Sequence, residues 1–397
     1  MSERRATATL LALFLAALAL RPQIVGIGPL TPDLKRDLDT SHAVTGLLGT
    51  IPVLCMGLFA PLAAYLAARI GTRRAMAAGL ALIGSFGILR ASVPSAWLVV
   101  ALTWPLGVGM GIGNAIAPIA VKERLPRRPA TGTGVYATGI QIGSTLAAAL
   151  AVPLAAWFGG WRAALVVFSV ATCLLLPAWL LLTRGEEPHA RPRALVPRLP
   201  VRSRTAWLLV AVFGLMASAY YGLNAWLPDA YGERGWSTGE AGALLATMNL
   251  TAIPASFVVP WLSDRRGGRR PYLLGMSLLF VAAATGLVLS PGGAYAWALL
   301  AGVAQGSMFA LVMTLPLDFE QQQDRVGALV GLMLGGGYTI AAASPFLLGA
   351  VRDATGSYDA VLWLAVGLLV GLFLAVASLP RSRFTRAQRP GTPPPRQ

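Results

Sequence analysis

The chain has 397 residues, of which 56% are hydrophobic and only 12% charged, and its mean hydropathy is +0.65. A water-soluble protein carries about twice that share of charge, so a soluble globular domain is excluded. The net charge of +16 does not point to nucleic acid, because the basic residues sit in short runs between apolar spans, as in the loops of a membrane protein.

Apolar runs long enough to cross a hydrocarbon core of about 30 Å recur along the whole chain. Transmembrane strands would give shorter, alternating segments. In chain order the runs predict helices near 6–32, 43–68, 74–93, 95–120, 131–157 and 162–183, then near 206–230, 240–262, 271–290, 294–317, 326–350 and 358–379. The opening MSERR and the apolar run after it have the outline of a signal peptide. A second apolar span follows at once, however, and the internal repeat needs this segment, so it is read as the first span. Between the two sets lies RGEEPHARPRALVPRLPVRSR, rich in Pro and Arg and without apolar period, which reads as a linker. A basic, proline-rich tail follows Pro380. The expected fold is an all-α polytopic membrane protein of twelve transmembrane helices. Its parts are a six-helix bundle over 1–183, a linker over 184–205, a second six-helix bundle over 206–379 and a tail over 380–397. Cys55 and Cys173 fall inside apolar spans and read as small buried hydrophobes rather than a disulfide.

Charge orients the chain. With the N-terminus inside, 25 of the 32 Lys and Arg fall in inside segments. Six fall outside: Lys35, Arg36, Arg90, Arg162, Arg234 and Arg352. The bias predicts both termini, the linker and the tail on the cytoplasmic side of a bacterial-type inner membrane.

The two sets of helices repeat. At an offset of 196 residues Pro32-Asp33 matches Pro228-Asp229, and Ser41 and Gly46 match Ser237 and Gly242. Arg69, Gly71, Arg73 and Arg74 match Arg265, Gly267, Arg269 and Arg270. Matches in register over about 40 residues, each at the same place relative to the helices, indicate a duplicated six-helix unit. An even number of spans per unit points both copies the same way, so their pseudo-symmetry axis runs along the membrane normal.

The second copy of that loop reads PWLSDRRGGRR. An acid at a helix end, a glycine turn and an arginine cluster can lock two helix ends together. Asp264, Arg265, Gly267, Arg269 and Arg270 resemble the loop signature of the major facilitator superfamily. The first copy departs from it, with Ala68 where the Asp should stand, so its lock is expected to be weaker or to borrow another acid. The resemblance covers nearly the whole chain. Within the superfamily, LRPQIVGIGPLTPDLKRDL, GLLGTIPVLCMGLFAPLA, ILRAS and GVGMGIGNAIAPIAVKERLP look like the cyanate / 2-nitroimidazole transporter group. The resemblance implies a membrane transporter of small anions or small nitro-heterocycles; many such proteins have no known substrate.

Arg21 is the residue that apolar packing does not explain. It follows about fifteen uncharged residues, deep in the first span, where an arginine costs about 2.5–3.5 kcal/mol on insertion scales. None of the sixteen acids lies deep in a predicted span, so the guanidinium has no evident carboxylate. One reading is a structural arginine tied to backbone. The other is a positive site in a wet cavity that draws in an anion, for which a planar fork of donors is suited. Arg21 maps to Ala217 in the second half, and Tyr220 and Asn224 lie one and two turns on from Ala217. With Asn114, Gln141 and Gln305 they form the expected substrate-binding lining, and Asn249 is the polar residue of its span. Arg90 is expected to snorkel or to pair with Asp33 or another loop acid. Glycines 107, 109, 111 and 113 thin the fourth helix for close packing. Gly335–Gly337 in the eleventh read either as packing or as a hinge.

His42 and His189 fall in loops, and no P-loop, metal cluster or nucleophile with its base is present. The expectation is therefore no enzyme and no cofactor. The chain reads as a monomeric secondary transporter of a small, polar or anionic molecule, working by alternating access. It could act as a uniporter, an exchanger, or a symporter whose proton site is Asp33, Asp229 or the substrate. The rival is a proton-coupled drug-type exporter, which Trp104, Tyr220, Tyr221 and Trp226 leave open.

Overall fold

Three prolines shape the first span. The computed structural model describes residues 3–125, 129–184, 199–266, 268–320 and 322–380. Instead of one helix over 6–32, it contains α1 (Glu3–Ala19), α2 (Pro22–Val25), a single 3-10 turn (Gly28–Leu30) and α3 (Thr31–Leu38). Pro22 has no N–H to donate, and its ring crowds the carbonyl four residues back. The α1 ladder therefore ends, and the Leu20 N–H turns to the Ala17 carbonyl at 3.2 Å. Pro29 and Pro32 open the next two pieces, where a missing N–H costs nothing.

The second and third spans are joined almost without a loop. Helix α4 (His42–Leu58) breaks at Phe59 and continues into α5 (Ala60–Ala91). Helix α5 itself bends at Gly71, whose φ of 80° and ψ of 156° suit glycine alone. The remaining spans are α6 (Ala96–Arg124), α7 (Pro129–Phe158), α8 (Trp161–Leu182), α9 (Arg204–Glu233), α10 (Thr238–Arg266) and α11 (Arg269–Leu289). They are followed by α12 (Ala294–Thr314), the short α13 (Pro316–Phe319), α14 (Gln323–Thr355) and α15 (Tyr358–Ala377). Among the described residues the chain is helix and turn, without strands. Most of the expected linker, 185–198, and the tail from 381 lie outside the described residues.

Helices α1 to α8 pack mainly on one another, as do α9 to α15, and the two sets meet chiefly along α4 with α14 and α7 with α10. Glycine allows the closest approaches. A Cβ on Gly28 would stand 2.1 Å from the Asn224 carbonyl oxygen, and one on Gly46 would stand 2.4 Å from that of Pro345. Both contacts cross between the sets at the end of the bundle opposite the termini, here called the far end. Helix α14 runs unbroken through Gly335–Gly337, and Gly336 and Gly337 abut Val210 and Phe213 of α9. In this conformation those glycines serve packing.

Replacing Gly71 by Ala forces a side chain into that backbone conformation and is expected to cost about 1–3 kcal/mol. Gly327→Ala meets nothing within 4 Å and replaces glycine by a better helix former, so it is expected to be neutral or stabilising by up to about 1 kcal/mol. Thermal unfolding of the detergent-solubilised protein separates the two.

Candidate functional site

The break in the first span leaves Arg21 between α1 and α2, and the side chain points into the middle of the molecule with 4% exposure. Its backbone is held on two sides. On one, Gly139 and Gly143 of α7 press on the Phe14 and Leu18 carbonyls; Cβ atoms there would come within 2.7 and 2.5 Å of those oxygens. On the other stands Arg90, and here the expectation of a snorkelling or loop-paired side chain is corrected. Arg90 is fully buried, and its Nη2 donates to the Gln23 carbonyl and to Gln23 Oε1, both at 2.8 Å. Its Nη1 donates to Thr103 Oγ1 at 3.3 Å. Asp33, the expected partner, lies 3.4 Å from Arg36 instead. A broken helix strands carbonyl groups that must find a donor away from water, and Arg90 supplies one to Gln23. The Gln23 amide in turn donates to Ser169 Oγ at 2.7 Å and the Leu165 carbonyl at 3.1 Å.

Arg21 reaches across to the other half of the chain. Its Nη1 donates to the Tyr221 hydroxyl on α9 and lies 3.3 Å from Met56 Sδ. The guanidinium carbon stands 5.7 Å from the Tyr221 ring centroid. Tyr136, Tyr220 and Tyr338 are within electrostatic reach of the charge. Nε has no partner, and among the described residues no carboxylate forms an ion pair with Arg21.

Two polar chains extend from this centre. In one, Tyr136 donates to Asn114 Oδ1 at 3.2 Å, and Asn114 Nδ2 donates to the Tyr338 hydroxyl at 3.5 Å. In the other, Tyr220, whose ring packs edge-on to Tyr221 at 5.1 Å, donates to Asn249 Oδ1 at 3.1 Å. Asn249 then donates to Asn224 Oδ1 at 3.1 Å. The Tyr220 hydroxyl also lies 3.4 Å from Ser144 Oγ on α7. The Arg21–Tyr221, Asn114–Tyr338 and Ser144–Tyr220 contacts all join one half to the other, so a relative movement of the halves changes the site.

Of the residues expected to line a site, Arg21, Asn114, Tyr220 and Asn224 belong to this centre. Gln141 and Gln305 are buried, at 7% and 5% exposure, but no hydrogen bond among the described residues ties their side chains to it. Tyr136, Tyr221, Tyr338, Met56 and Ser144 were not among the expected lining. Tyr221 was within reach of the argument, because position 221 is also one helical turn on from Ala217. The others carry no spacing signal beyond being polarisable or hydroxylic groups in apolar spans.

The paired loops show a borrowed acid. In the second copy Arg269 forms ion pairs with Asp318 and, at 3.5 Å, with Asp264. Arg265 stacks over Trp261 at 4.0 Å, and Arg270 donates to the Ala377 carbonyl at 2.9 Å. Gly267 lies outside the described residues. In the first copy, where Ala68 replaces the acid, Thr72 donates to Glu123 at 3.0 Å. Arg73 donates to the Leu180 carbonyl at 2.7 Å, and Arg69 lies over the Tyr65 ring at 5.6 Å. Glu123 lies in the last turn of α6 and Asp318 in α13, just after α12, so each loop draws an acid from the end of the fourth span of its own half.

A bundle of this kind, with a polar centre buried between two halves, defines a multi-pass membrane transporter. Residues 9–342 match the Major Facilitator Superfamily, and the chain belongs to that family. It is 31% identical to the 2-nitroimidazole transporter of Escherichia coli over 92% of this chain and 93% of that one. It is 30% identical to the Cyanate transport protein CynX of the same organism over 88% and 91%. In fold it is similar to a bacterial homologue of the human lysosomal transporter Spinster, with a TM-score of 0.76 and 17% identity over 95% of this chain and 96% of the other.

Tyr221→Phe removes a hydroxyl that accepts from a buried cation. It is expected to lower stability by about 1–3 kcal/mol, whereas Arg21→Met, which removes the charge along with its need for a partner, is expected to cost less. Thermal unfolding of both variants, measured without substrate, checks the order.

Proposed function

We propose that the protein carries a small anion or a strongly polar planar molecule across the membrane by alternating access, with Arg21 as the central binding group. One observation carries this reading. A buried guanidinium lies at the junction of the halves, with a phenol oxygen and a thioether sulfur as its hydrogen-bond partners and Nε unpaired. A cation left without a counter-charge in a water-poor site is strongly favourable for an arriving anion. The planar fork suits a linear or planar group such as cyanate, a carboxylate or a nitro group. The surrounding phenols add hydroxyl donors and ring faces.

The transport step follows from which half holds what. Arg21 and Asn114 belong to one half, and Tyr220, Tyr221 and Tyr338 to the other. A ligand on Arg21 displaces or shares the Tyr221 hydroxyl and so changes a contact that joins the halves. The E. coli relatives, named for cyanate and for 2-nitroimidazole, are consistent with this chemistry. Charge distribution puts the termini in the cytoplasm and the far end outside. A drug-type exporter of cations would want a carboxylate where this site has Arg21.

The test is thermal-shift binding to purified protein of cyanate, nitrate, short carboxylates and neutral nitroimidazoles, with wild type and Arg21→Ala side by side. A ligand at about 100 times its Kd should stabilise wild type by about 2.7 kcal/mol and leave Arg21→Ala unmoved. Equal stabilisation of the variant, or a response to neutral compounds alone, overturns the role of Arg21.

A further inference from the structure

The two junctions between the halves are filled differently at the far end. Along α4 and α14 protein meets protein. His42, expected in a loop, is the first residue of α4. Asp353 of α14 accepts from its backbone N–H at 3.1 Å and from that of Ala43 at 2.8 Å. A Cβ on Gly349 would stand 2.5 Å from the His42 carbonyl oxygen, and one on Gly49 would stand 3.2 Å from the Pro345 side chain. Along α7 and α10 the far-end stretches of the helices flank a groove of about 370 Å³ that opens sideways from the bundle. Ala149, Val152 and Ala156 belong to one wall, and Gly239, Ala243 and Leu250 to the other.

The local sequence makes the groove. Helix α7 reads TLAAALAVPLAA over 145–156, and α10 reads GEAGALLATMNL over 239–250. Bulky side chains turn away from it: Leu244 and Leu245 are buried in the core, and Leu146 is exposed outside the lining. The facing sides are left mostly with alanine and glycine, too small to fill the space between two helices. The floor of the groove is the far-end seal itself. A Cβ on Gly242 would stand 3.5 Å from the Ala148 carbonyl oxygen and 3.6 Å from Pro29, which neighbours the Gly28 that packs on Asn224. Inside the junction, by contrast, the crevice lined by Gly28, Gly46 and Tyr221 has a volume of about 10 Å³, room for at most one water molecule.

Depth and chemistry select what fits the groove. Both walls belong to membrane spans, and from Thr145 to Ala156 or from Gly239 to Leu250 each is about 16 Å long at 1.5 Å per residue. Half of a hydrocarbon core of about 30 Å has nearly that length, so the groove runs the depth of one leaflet. At its far rim Trp157 and Phe158 are exposed, as aromatic side chains are at the level of the lipid headgroups. The lining hydroxyls of Thr145 and Thr247 already donate to the Gln141 and Ala243 carbonyls of their own helices, both at 2.9 Å. A buried water needs about two to four polar partners, which alanine, glycine and leucine do not offer. Methylene groups gain dispersion contacts on both walls. The groove therefore suits a single extended hydrocarbon chain lying along the helices.

We propose that one acyl chain of a phospholipid in the far-side leaflet lies in the α7–α10 groove and completes the closure of the far end. The chain touches both halves at once, as the backbone contacts of α4 and α14 do on the other side. When the far ends part, the two walls separate and the chain loses contact with one of them. A ligand that binds one arrangement better shifts the population toward it, so the chain favours the closed far end. Occupancy follows from the groove lying within the membrane spans. The effect on closure rests on the alternating-access reading and is independent of the anion reading of Arg21.

Photolabelling of the full-length protein tests occupancy without a substrate. The protein is reconstituted in phosphatidylethanolamine and phosphatidylglycerol vesicles carrying a phosphatidylcholine with a diazirine midway along one acyl chain, and cross-links are mapped by peptide mass spectrometry. Labelling of 145–156 and 239–250 should exceed several-fold that around Val170 of α8 and Leu364 of α15, exposed positions in the far-end halves of their spans. Ala149→Leu with Ala243→Leu, which fills the groove, should bring it down to that reference level. Closure is read by spin labels on Ser92→Cys and Gly292→Cys, exposed positions at the far end of the two halves, with Cys55 and Cys173 replaced by Ala. Adding phospholipid to delipidated protein in a fluorinated surfactant should lower the longer-distance population roughly five-fold. The filled variant should start low and ignore the lipid. Wild-type labelling no stronger than the reference, labelling undiminished in the filled variant, or wild-type distances unmoved by phospholipid overturns the proposal. Labelling by a free short-chain alkyl diazirine but not by the phospholipid assigns the groove to a small apolar solute and overturns it as well. If the double variant does not fold, the two wild-type measurements decide. Anion stabilisation through Arg21 is read in a separate experiment, so either assignment can fail alone.

Discussion

A proline that cannot donate a hydrogen bond stands at the root of the central site. Pro22 ends the α1 ladder in a place where water is scarce, and each stranded carbonyl needs a donor from elsewhere in the protein. Where α2 ends in turn, the Ile27 N–H goes to the Ile24 carbonyl and Arg90 gives its guanidinium to the Gln23 carbonyl left free, while the glycines of α7 bring that helix hard against α1 just before the break. The side chain at the break, Arg21, is thereby set in the centre of the molecule on backbone that is fixed from two sides. One buried arginine holds the frame, and the other is left to offer its charge.

The two arginines show why burial alone does not mark a binding residue. Both are within 4% of complete burial and both leave Nε unpaired. Arg90 has three oxygen acceptors, all from its own half. Arg21 has a phenol and a sulfur, both weak partners for a cation, and the phenol belongs to the opposite half. The difference in partner quality, and in which half supplies them, separates a structural cation from one placed to meet a ligand.

The junction between halves is built from unlike materials along its length. In the middle it is phenols and amides, which can exchange partners at low cost. At the far end it is backbone against backbone at Gly28 and Gly46, with a helix N-terminus seated on the carboxylate of Asp353. At the other end each half locks its own second and third spans with an acid from its fourth, Glu123 or Asp318. Those locks stay within a half, as rigid units require if the halves are to move against each other.

Length, hydropathy and turn residues were enough to place the spans, because a helix that must cross about 30 Å of hydrocarbon leaves a long apolar signature. The offset of 196 residues is what pointed to a duplication, and the solitary Arg21 stood out because nothing else in its span is charged. Tyr220 followed from helical spacing. Other features needed the tertiary structure. That the first span breaks was written in Pro22, yet which side chains attend the break was not. Tyr221, Tyr338 and Met56 meet Arg21 from spans far apart in sequence, and Arg90 looked like a loop-end residue until Gln23 was found beside it. Glu123 stands in for the missing acid at position 68 from some fifty residues away, and His42 finds Asp353 across 311. A single chain determines its own periodicities and its own misfits, such as a charge in an apolar run. Partners for those misfits are set by how the helices pack, and packing depends on shapes summed over the whole bundle, which no local pattern records.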